Sequence, residues 1–111
     1  IFHAPVSFPL SLLERNTGPE PEMRWKIHPG WFEQHVEKLK NAIKDGADLP
    51  PLIVHYLIPE GESVGEFEMN DGNHRLEAFK RLGMERYHVI FWCTEKHEYD
   101  QLMERFGDLM E

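Results

Sequence analysis

Apolar residues at helical spacing mark the first predicted helix. They fall at intervals of three and four residues, which places them on one face, and they are Phe32, Val36, Leu39 and Ile43. Proline and glycine at positions 29 and 30 are typical of a helix start, and Gly46 is typical of a helix end. The pattern therefore predicts a helix from residue 29 or 30 to Gly46.

Two further amphipathic helices are predicted. One runs from Asn73 or His74 to Leu82, where Gly83 provides a C-terminal stop. The other covers residues 95–109, and its apolar face is predicted to consist of Tyr99, Leu102, Met103, Phe106 and Leu109. Its opposite face is acidic and comprises Glu95, Glu98, Asp100, Glu104, Asp108 and Glu111. Such a face usually indicates solvated surface, and a protein-interaction face is the alternative.

The remaining apolar stretches predict strands. Residues 52–58 form a β-branched and aromatic run with little alternation, which predicts a strand buried on both faces. Residues 65–70 alternate polar and apolar side chains, as a half-buried strand does, and residues 87–92 predict a third strand. Residues 6–10 suit a short edge strand and residues 11–15 one helical turn. The order helix, strand, strand, helix, strand, helix predicts a small α+β domain.

Composition is typical of a single globular domain. The 111 residues, 41% of them hydrophobic, suit one core, and we expect residues 1–111 to form one domain. No apolar run approaches the roughly 20 residues of a membrane helix, and no signal peptide is visible. One cysteine excludes a disulfide framework and a multi-cysteine metal site. These features predict a cytoplasmic protein with no membrane partner.

The net charge of −8 counts against non-specific binding of DNA or RNA, because proteins that bind the nucleic acid backbone are usually basic. The charge is unevenly distributed along the chain. Residues 71–86 contain four basic and three acidic side chains, so this stretch sums to +1 and the rest of the chain to −9. The distribution leaves room for one small anion site, but not for a broad phosphate-binding surface.

The segment Asp71-Gly72-Asn73-His74-Arg75 lies where a predicted strand ends and a predicted helix begins. Backbone N–H groups and the helix dipole make such a junction a natural anion site. Gly72 allows a sharp turn and close approach of a ligand, and Arg75 can offer a bidentate fork to phosphate. His74 can donate to phosphate or move a proton. Asp71 can hold a metal ion that bridges phosphates, or accept a proton from a substrate hydroxyl.

The same five residues also have a purely structural interpretation. Asp71 and Asn73 are good helix N-caps, Asp-Gly is a common turn sequence, and Arg75 would suit a surface salt bridge. From the residues alone, the functional and the structural interpretations both stay open.

Residues 71–83 closely resemble the phosphate-binding box of the ParB/sulfiredoxin superfamily. Upstream, the proline at His28-Pro29, the helix ending in glycine, and the strand segment Pro51-Leu52-Ile53-Val54 are similar to the family pattern and occur in the family's order. The resemblance covers about residues 27–92 and leaves 93–111 as a C-terminal amphipathic helix. It implies a ParB/sulfiredoxin-like fold, with a mixed sheet flanked by helices, that binds a nucleotide.

The resemblance also separates the subfamilies. Sulfiredoxins need a cysteine at the position of Asn73, so we do not expect sulfiredoxin activity, and Cys93 is expected to be a packing thiol. ParB proteins bind and hydrolyse CTP and clamp DNA. They carry a Glu-Arg-Arg-type box and an arginine after the upstream proline, whereas Gly30-Trp31-Phe32 stand here. These departures and the acidic charge count against chromosome partition and against a nucleic acid partner, unless the chain is part of a longer DNA-binding protein.

The box is nearest to that of the free-serine-kinase-like members, which use ADP as phosphate donor. The resemblance implies that Asp71 and His74 take part in phosphoryl transfer and that Asp71 holds Mg²⁺. An upstream glutamate acts as base in those members, and the nearest candidate here is Glu33, although Glu33 also suits a solvated helix face. His28 lies where family members line the nucleotide pocket, and a loop residue without a role is the alternative.

The predicted function is therefore that of a nucleotide-binding ParB-like domain that acts as a nucleotide-dependent phosphotransferase or a nucleotide hydrolase. The expected nucleotide is ATP, ADP or CTP, with a small molecule or a protein as phosphate acceptor. The alternative is a non-catalytic ParB-like module that binds nucleotide, DNA or protein. The residues expected to bind the nucleotide are Gly72, Asn73, His74, Arg75 and His28.

Overall fold

The structure is a computed structural model that describes residues 1–14 and 29–111, apart from the side chains at positions 29, 31 and 32. It has three α-helices in this part of the chain, which are α1 Pro29–Lys44, α2 Asn73–Arg81 and α3 Lys96–Phe106. Its four strands are β1 Val6–Pro9, β2 Leu52–Leu57, β3 Glu66–Asp71 and β4 Arg86–Trp92. Short 3₁₀ turns cover Leu10–Leu12 and Gly107–Leu109. The predicted element order and α+β class are confirmed.

The four strands form one mixed sheet in the order β1-β4-β2-β3. β2 runs parallel to β4, and the other two pairings are antiparallel. The parallel pair requires a crossover between β2 and β4, and the β3–α2 segment provides it. This connection places the strand-to-helix junction at Gly72 beside the start of β2, where Ile53 pairs with Asp71.

Alternate residues of β2 form the centre of the core. Leu52, Val54 and Tyr56 are fully buried and belong to one cluster with Phe79 of α2 and Leu102 of α3, so both helices cover the same face of the sheet. α1 packs on α2, and its apolar stripe contributes the fully buried Val36. The core therefore lies between the sheet and the α2–α3 layer.

The prediction that β2 is buried on both faces was wrong. Its burial alternates strictly, and Ile53, His55 and Leu57 on the other face stay partly exposed. On this face His55 stacks on Trp92 of β4, with ring centroids 3.8 Å apart and planes 8° from parallel.

Two predictions for the last helix also need correction. Leu109 was expected inside but is 39% exposed, because α3 ends at Phe106 and the following 3₁₀ turn changes the direction of the chain. Glu98 was placed on a solvated acidic face but is only 6% exposed. Its carboxylate accepts hydrogen bonds from the backbone N–H groups of Ile58 at 2.7 Å and Glu95 at 3.0 Å.

Glu98 is the first of three polar residues by which α3 holds the β2–β3 hairpin. Gln101 accepts hydrogen bonds from the Tyr56 hydroxyl and, at 2.8 Å, from the Gly65 N–H. Arg105 donates to the Tyr56 hydroxyl at 2.8 Å and to the Gly65 carbonyl at 2.9 Å. These bonds give partners to the backbone N–H groups of Ile58 and Gly65 and to the Gly65 carbonyl, and they fix the hairpin that leads into β3.

In residues 1–14 and 29–111, no helix combines the length and the apolar character needed to cross a bilayer.

Candidate functional site

The candidate site begins at Gly72, a position that no other residue type suits. β3 ends at Asp71, and Gly72 forms the N-cap of α2 with φ 117° and ψ 18°, in the left-handed region. A Cβ atom at this position would lie 2.5 Å from Leu52 Cδ2 and 3.1 Å from Arg75 Nη2. Gly72 is therefore required both by its backbone conformation and by the close approach of its neighbours.

Gly72 also starts the hydrogen bonding of α2, because its carbonyl accepts the N–H of Leu76 at 2.7 Å. The first N–H groups of any helix have no acceptor within that helix, and in α2 these groups belong to Asn73, His74 and Arg75. The N-terminal end also carries the positive end of the helix dipole. No acidic residue lies in this first turn, so the geometry favours an anion.

The side chain of Arg75, a residue of this first turn, is held by contacts with Pro51 and Asp71. Its side chain is only 16% exposed, and its Nη2 donates to the Pro51 carbonyl at 3.2 Å and lies 3.6 Å from the Asp71 carboxylate. Its Nε is buried and has no hydrogen-bond partner in the described structure. A buried donor without a partner is unusual in a native protein, and a phosphate oxygen would supply the missing acceptor.

His74 contacts a residue that the sequence did not single out. Its imidazole meets that of His35 from α1 edge to face, with ring centroids 4.5 Å apart and planes at 84°. Both residues are half-buried. His35 directly precedes the buried Val36 of the apolar stripe, and this position at the edge of the packed face was the signal that could have identified it.

Glu33, predicted to be a catalytic base, is held by an arginine. Its two carboxylate oxygens accept hydrogen bonds from Arg81 Nη1 at 2.7 Å and Nη2 at 2.9 Å, and Arg81 Nε also donates to Glu77 at 3.0 Å. The hydrogen bonds to Glu33, which have the larger effect, and the one to Glu77 raise the pKa of Arg81 above its usual value. This ionic cluster ties α1 to α2.

The structure thus brings some of the predicted site residues together. Residues 71–75 lie together around the start of α2, with Gly72 buried and Asp71 exposed. Glu33 lies in the α1–α2 contact paired with Arg81, and His28 lies outside the described residues. A cluster of three or more metal-ligating side chains is absent from the part of the chain that the structure describes. Asp71 is 67% exposed, so its carboxylate is accessible at the edge of the site.

Cys93 lies elsewhere, at the end of β4, and is fully buried in the core cluster. Burial raises the pKa of its thiol, so the thiolate needed for redox chemistry is disfavoured.

Comparison with protein families and solved structures identifies the fold. The family model described as the ParB N-terminal domain matches residues 22–104. No curated protein matches the sequence. A solved structure of C-terminally truncated chromosome-partitioning protein ParB from Caulobacter crescentus, complexed with CTP-gamma-S, is similar with a TM-score of 0.57 and 20% identity. The match covers 95% of this chain and 54% of that one, so the chain spans about half of that ParB.

Two further structures are similar. Sulfiredoxin from Arabidopsis thaliana has a TM-score of 0.55 and 21% identity over 88% of this chain and 94% of its own. The truncated Caulobacter crescentus ParB complexed to the centromeric parS site has a TM-score of 0.45 and 21% identity, over 91% of this chain and 58% of that one. The expected ParB/sulfiredoxin-like fold is confirmed. The argument from charge against a nucleic acid partner gains no support from these comparisons and stays a prediction.

Proposed function

Because the chain belongs to the ParB N-terminal domain family, we propose that it binds a nucleotide through its phosphate groups at residues 72–75. The observation that carries the proposal is the buried Arg75 Nε, a donor without a partner in the described structure beside a helix N-terminus capped by Gly72. In this proposal the backbone N–H groups of Asn73 and His74 face the phosphate oxygens, and the Nε–H of Arg75 donates a hydrogen bond to them.

A similar structure, the truncated ParB from Caulobacter crescentus, is complexed with a CTP analogue, which supports a nucleotide as the ligand. The sequence resemblance leaves ATP, ADP and CTP as candidates, with His28 as a further pocket residue. Since the chain spans about half of that ParB, the activity and partners of a longer protein are separate questions.

We further propose that the bound nucleotide is turned over, by phosphoryl transfer or by hydrolysis. Phosphoryl transfer depends mainly on positioning and on neutralising charge. The attacking hydroxyl or water would form a new P–O bond while the P–O bond to the rest of the nucleotide breaks, and the shortened nucleotide would leave. His74 would donate to the phosphoryl group, and the exposed Asp71 carboxylate would accept the proton of the attacking group. Asp71 also fits Mg²⁺, which proteins often hold with one or two carboxylates plus substrate phosphates. Bound there, the ion would neutralise phosphate charge.

The Glu33–Arg81 pair favours a second candidate function, a ParB-like module that binds nucleotide without turnover. A general base must lie within hydrogen-bond reach of the proton that it removes. Both oxygens of Glu33 accept hydrogen bonds from Arg81, which is the last residue of α2, whereas the proposed phosphate site lies at the first turn of that helix. With Glu33 held there, catalysis depends on Asp71 and His74 alone.

Isothermal titration calorimetry with ATP, ADP, CTP and GTP, each with Mg²⁺, tests binding. Phosphate release and transfer to small-molecule or protein acceptors then test turnover. We expect at least one nucleotide to bind. Substitution Asp71→Asn should reduce turnover by about 100-fold or more while binding changes less. Binding with no turnover in the wild type would select the non-catalytic module, and no binding of any of the four nucleotides would contradict the proposed function.

A further inference from the structure

The contact between His35 and His74 links the candidate site to α1. The two rings meet edge to face at 4.5 Å between centroids, within the range in which aromatic rings attract one another and prefer this geometry. The contact joins the first turn of α2, where the phosphate is proposed to bind, to the helix packed beside it. His35 lies outside the box, and its ring contacts His74 of the box.

The position of His35 is itself fixed. Val36, the next residue, is fully buried in the core, and Glu33 is tied to Arg81 by two hydrogen bonds. These anchors on α1 flank His35 and hold the helix against α2. The imidazole of His35 is therefore presented to His74 from a rigid support.

An imidazole at a phosphate site needs such a support. The torsion that turns a histidine ring about its Cβ–Cγ bond has a broad energy profile, so the direction of the ring N–H groups is poorly set by the side chain alone. A donor is effective only when it points at the position where the charge lies. A neighbouring ring packed at right angles narrows the range of orientations.

We propose that His35 is a positioning residue for His74 and that it holds the His74 imidazole in the orientation that binds phosphate. The inference rests on the proposed function of the box and extends it to a residue of α1. It predicts that the shape of the ring at position 35 matters and that its nitrogen atoms do not.

Three variants distinguish the contribution of the ring shape of His35 from that of its polar nitrogen atoms. His35→Phe keeps a planar ring of similar width and removes both nitrogens, His35→Gln keeps polar atoms and removes the ring, and His35→Ala removes both. Calorimetry with the nucleotide that the wild type binds should show affinity within about twofold of wild type for His35→Phe. Affinity should fall by roughly tenfold for His35→Ala and His35→Gln, less than the roughly 100-fold that a full misplacement costs. Equal losses in all three variants would overturn the proposal.

A double-mutant cycle tests whether His35 acts through His74. Adding His35→Ala to His74→Ala should cause little further loss of affinity, because the positioned group is already absent. A full additional loss would show that His35 acts by another route and would overturn the proposal. Equal melting temperatures of the position-35 variants would exclude a general loss of folding.

The orientation of His74 can also be measured without nucleotide. Carbon-13 relaxation at His74 Cδ2 should show a larger amplitude of ring motion in His35→Ala and His35→Gln than in the wild type, and wild-type amplitude in His35→Phe. Unchanged motion in all variants would overturn the positioning role. If the expected change in motion appears but the wild type binds no nucleotide, the proposed function fails while the positioning of His74 stands.

Discussion

The substitution Gly72→Ala should destabilise the protein far more than the same change at Gly83. Both glycines have positive φ, 117° at Gly72 and 74° at Gly83, so an L-residue is strained at either position. They differ in their surroundings. A Cβ at Gly83 would meet nothing within 4 Å, whereas a Cβ at Gly72 would overlap Leu52 Cδ2 at 2.5 Å and press on the Arg75 guanidinium at 3.1 Å. Gly83 is therefore a control for a positive φ without overlap.

The expected magnitudes follow from these two terms. A left-handed conformation costs an L-residue about 1–2 kcal/mol, and this is the whole expected cost for Gly83→Ala. Forcing an extra carbon into a packed site adds about 1–3 kcal/mol, because Leu52 is fully buried and cannot swing into solvent. Gly72→Ala should therefore cost about 2–5 kcal/mol. For a domain of this length, each kcal/mol lowers the melting temperature by about 4 °C.

Urea unfolding followed by circular dichroism measures both variants against the wild type. An unchanged m-value would show that the difference reflects stability and not a change in the denatured state. Gly72→Ala should also weaken nucleotide binding, since the added methyl group displaces Arg75. A Gly72→Ala variant as stable as Gly83→Ala would refute the close packing described for the candidate site.

Two further predictions concern the contacts of α3. Glu98→Gln should lower stability at pH 7 by about 1–3 kcal/mol, because two hydrogen bonds lose their charged acceptor. The hydrogen bond from Ile58 lowers the pKa of Glu98 below its ordinary 4.5, so its contribution is present above that pH and lost as pH falls through the lower folded value. Urea unfolding at several pH values should show a shallower acid dependence for Glu98→Gln, and an equal dependence would contradict the assignment. Gly65→Ala should cost about 1–3 kcal/mol, because its Cβ would lie 2.5 Å from the Tyr56 ring. The control Gly107→Ala, with its nearest side-chain atom at 3.4 Å, should be close to neutral in the same assay, and equal effects would argue against the overlap.

Much of the fold followed from local signals in the sequence. Gly46 and Gly83 have positive φ at the ends of α1 and α2. Because glycine adopts this conformation most readily, its presence in the sequence predicts these helix ends. The apolar period of α1 placed Val36 inside, as observed. Residues 71–75 are contiguous, so predicting the junction between β3 and α2 was enough to predict that they lie around the start of α2.

What the sequence did not reveal depends on contacts between distant residues. Ile53 and Leu57 look as apolar as Leu52, and only the arrangement of the helices decides which face of β2 is covered. Glu98 resembles the exposed acids around it until Ile58, far away in sequence, supplies a backbone N–H. The contact of His35 with His74 likewise exists only once α1 packs on α2.

The central claim, that the Gly72–Arg75 segment binds nucleotide phosphate, is tested most directly by calorimetry with Arg75 variants. Arg75→Ala should weaken nucleotide binding by at least about tenfold, because it removes a charge-assisted donor, and Arg75→Lys should restore only part of the affinity. Lys96→Ala removes the same charge from an exposed site on α3 and should leave affinity unchanged. Equal affinity of Arg75→Ala and the wild type, with both variants folded, would contradict the account.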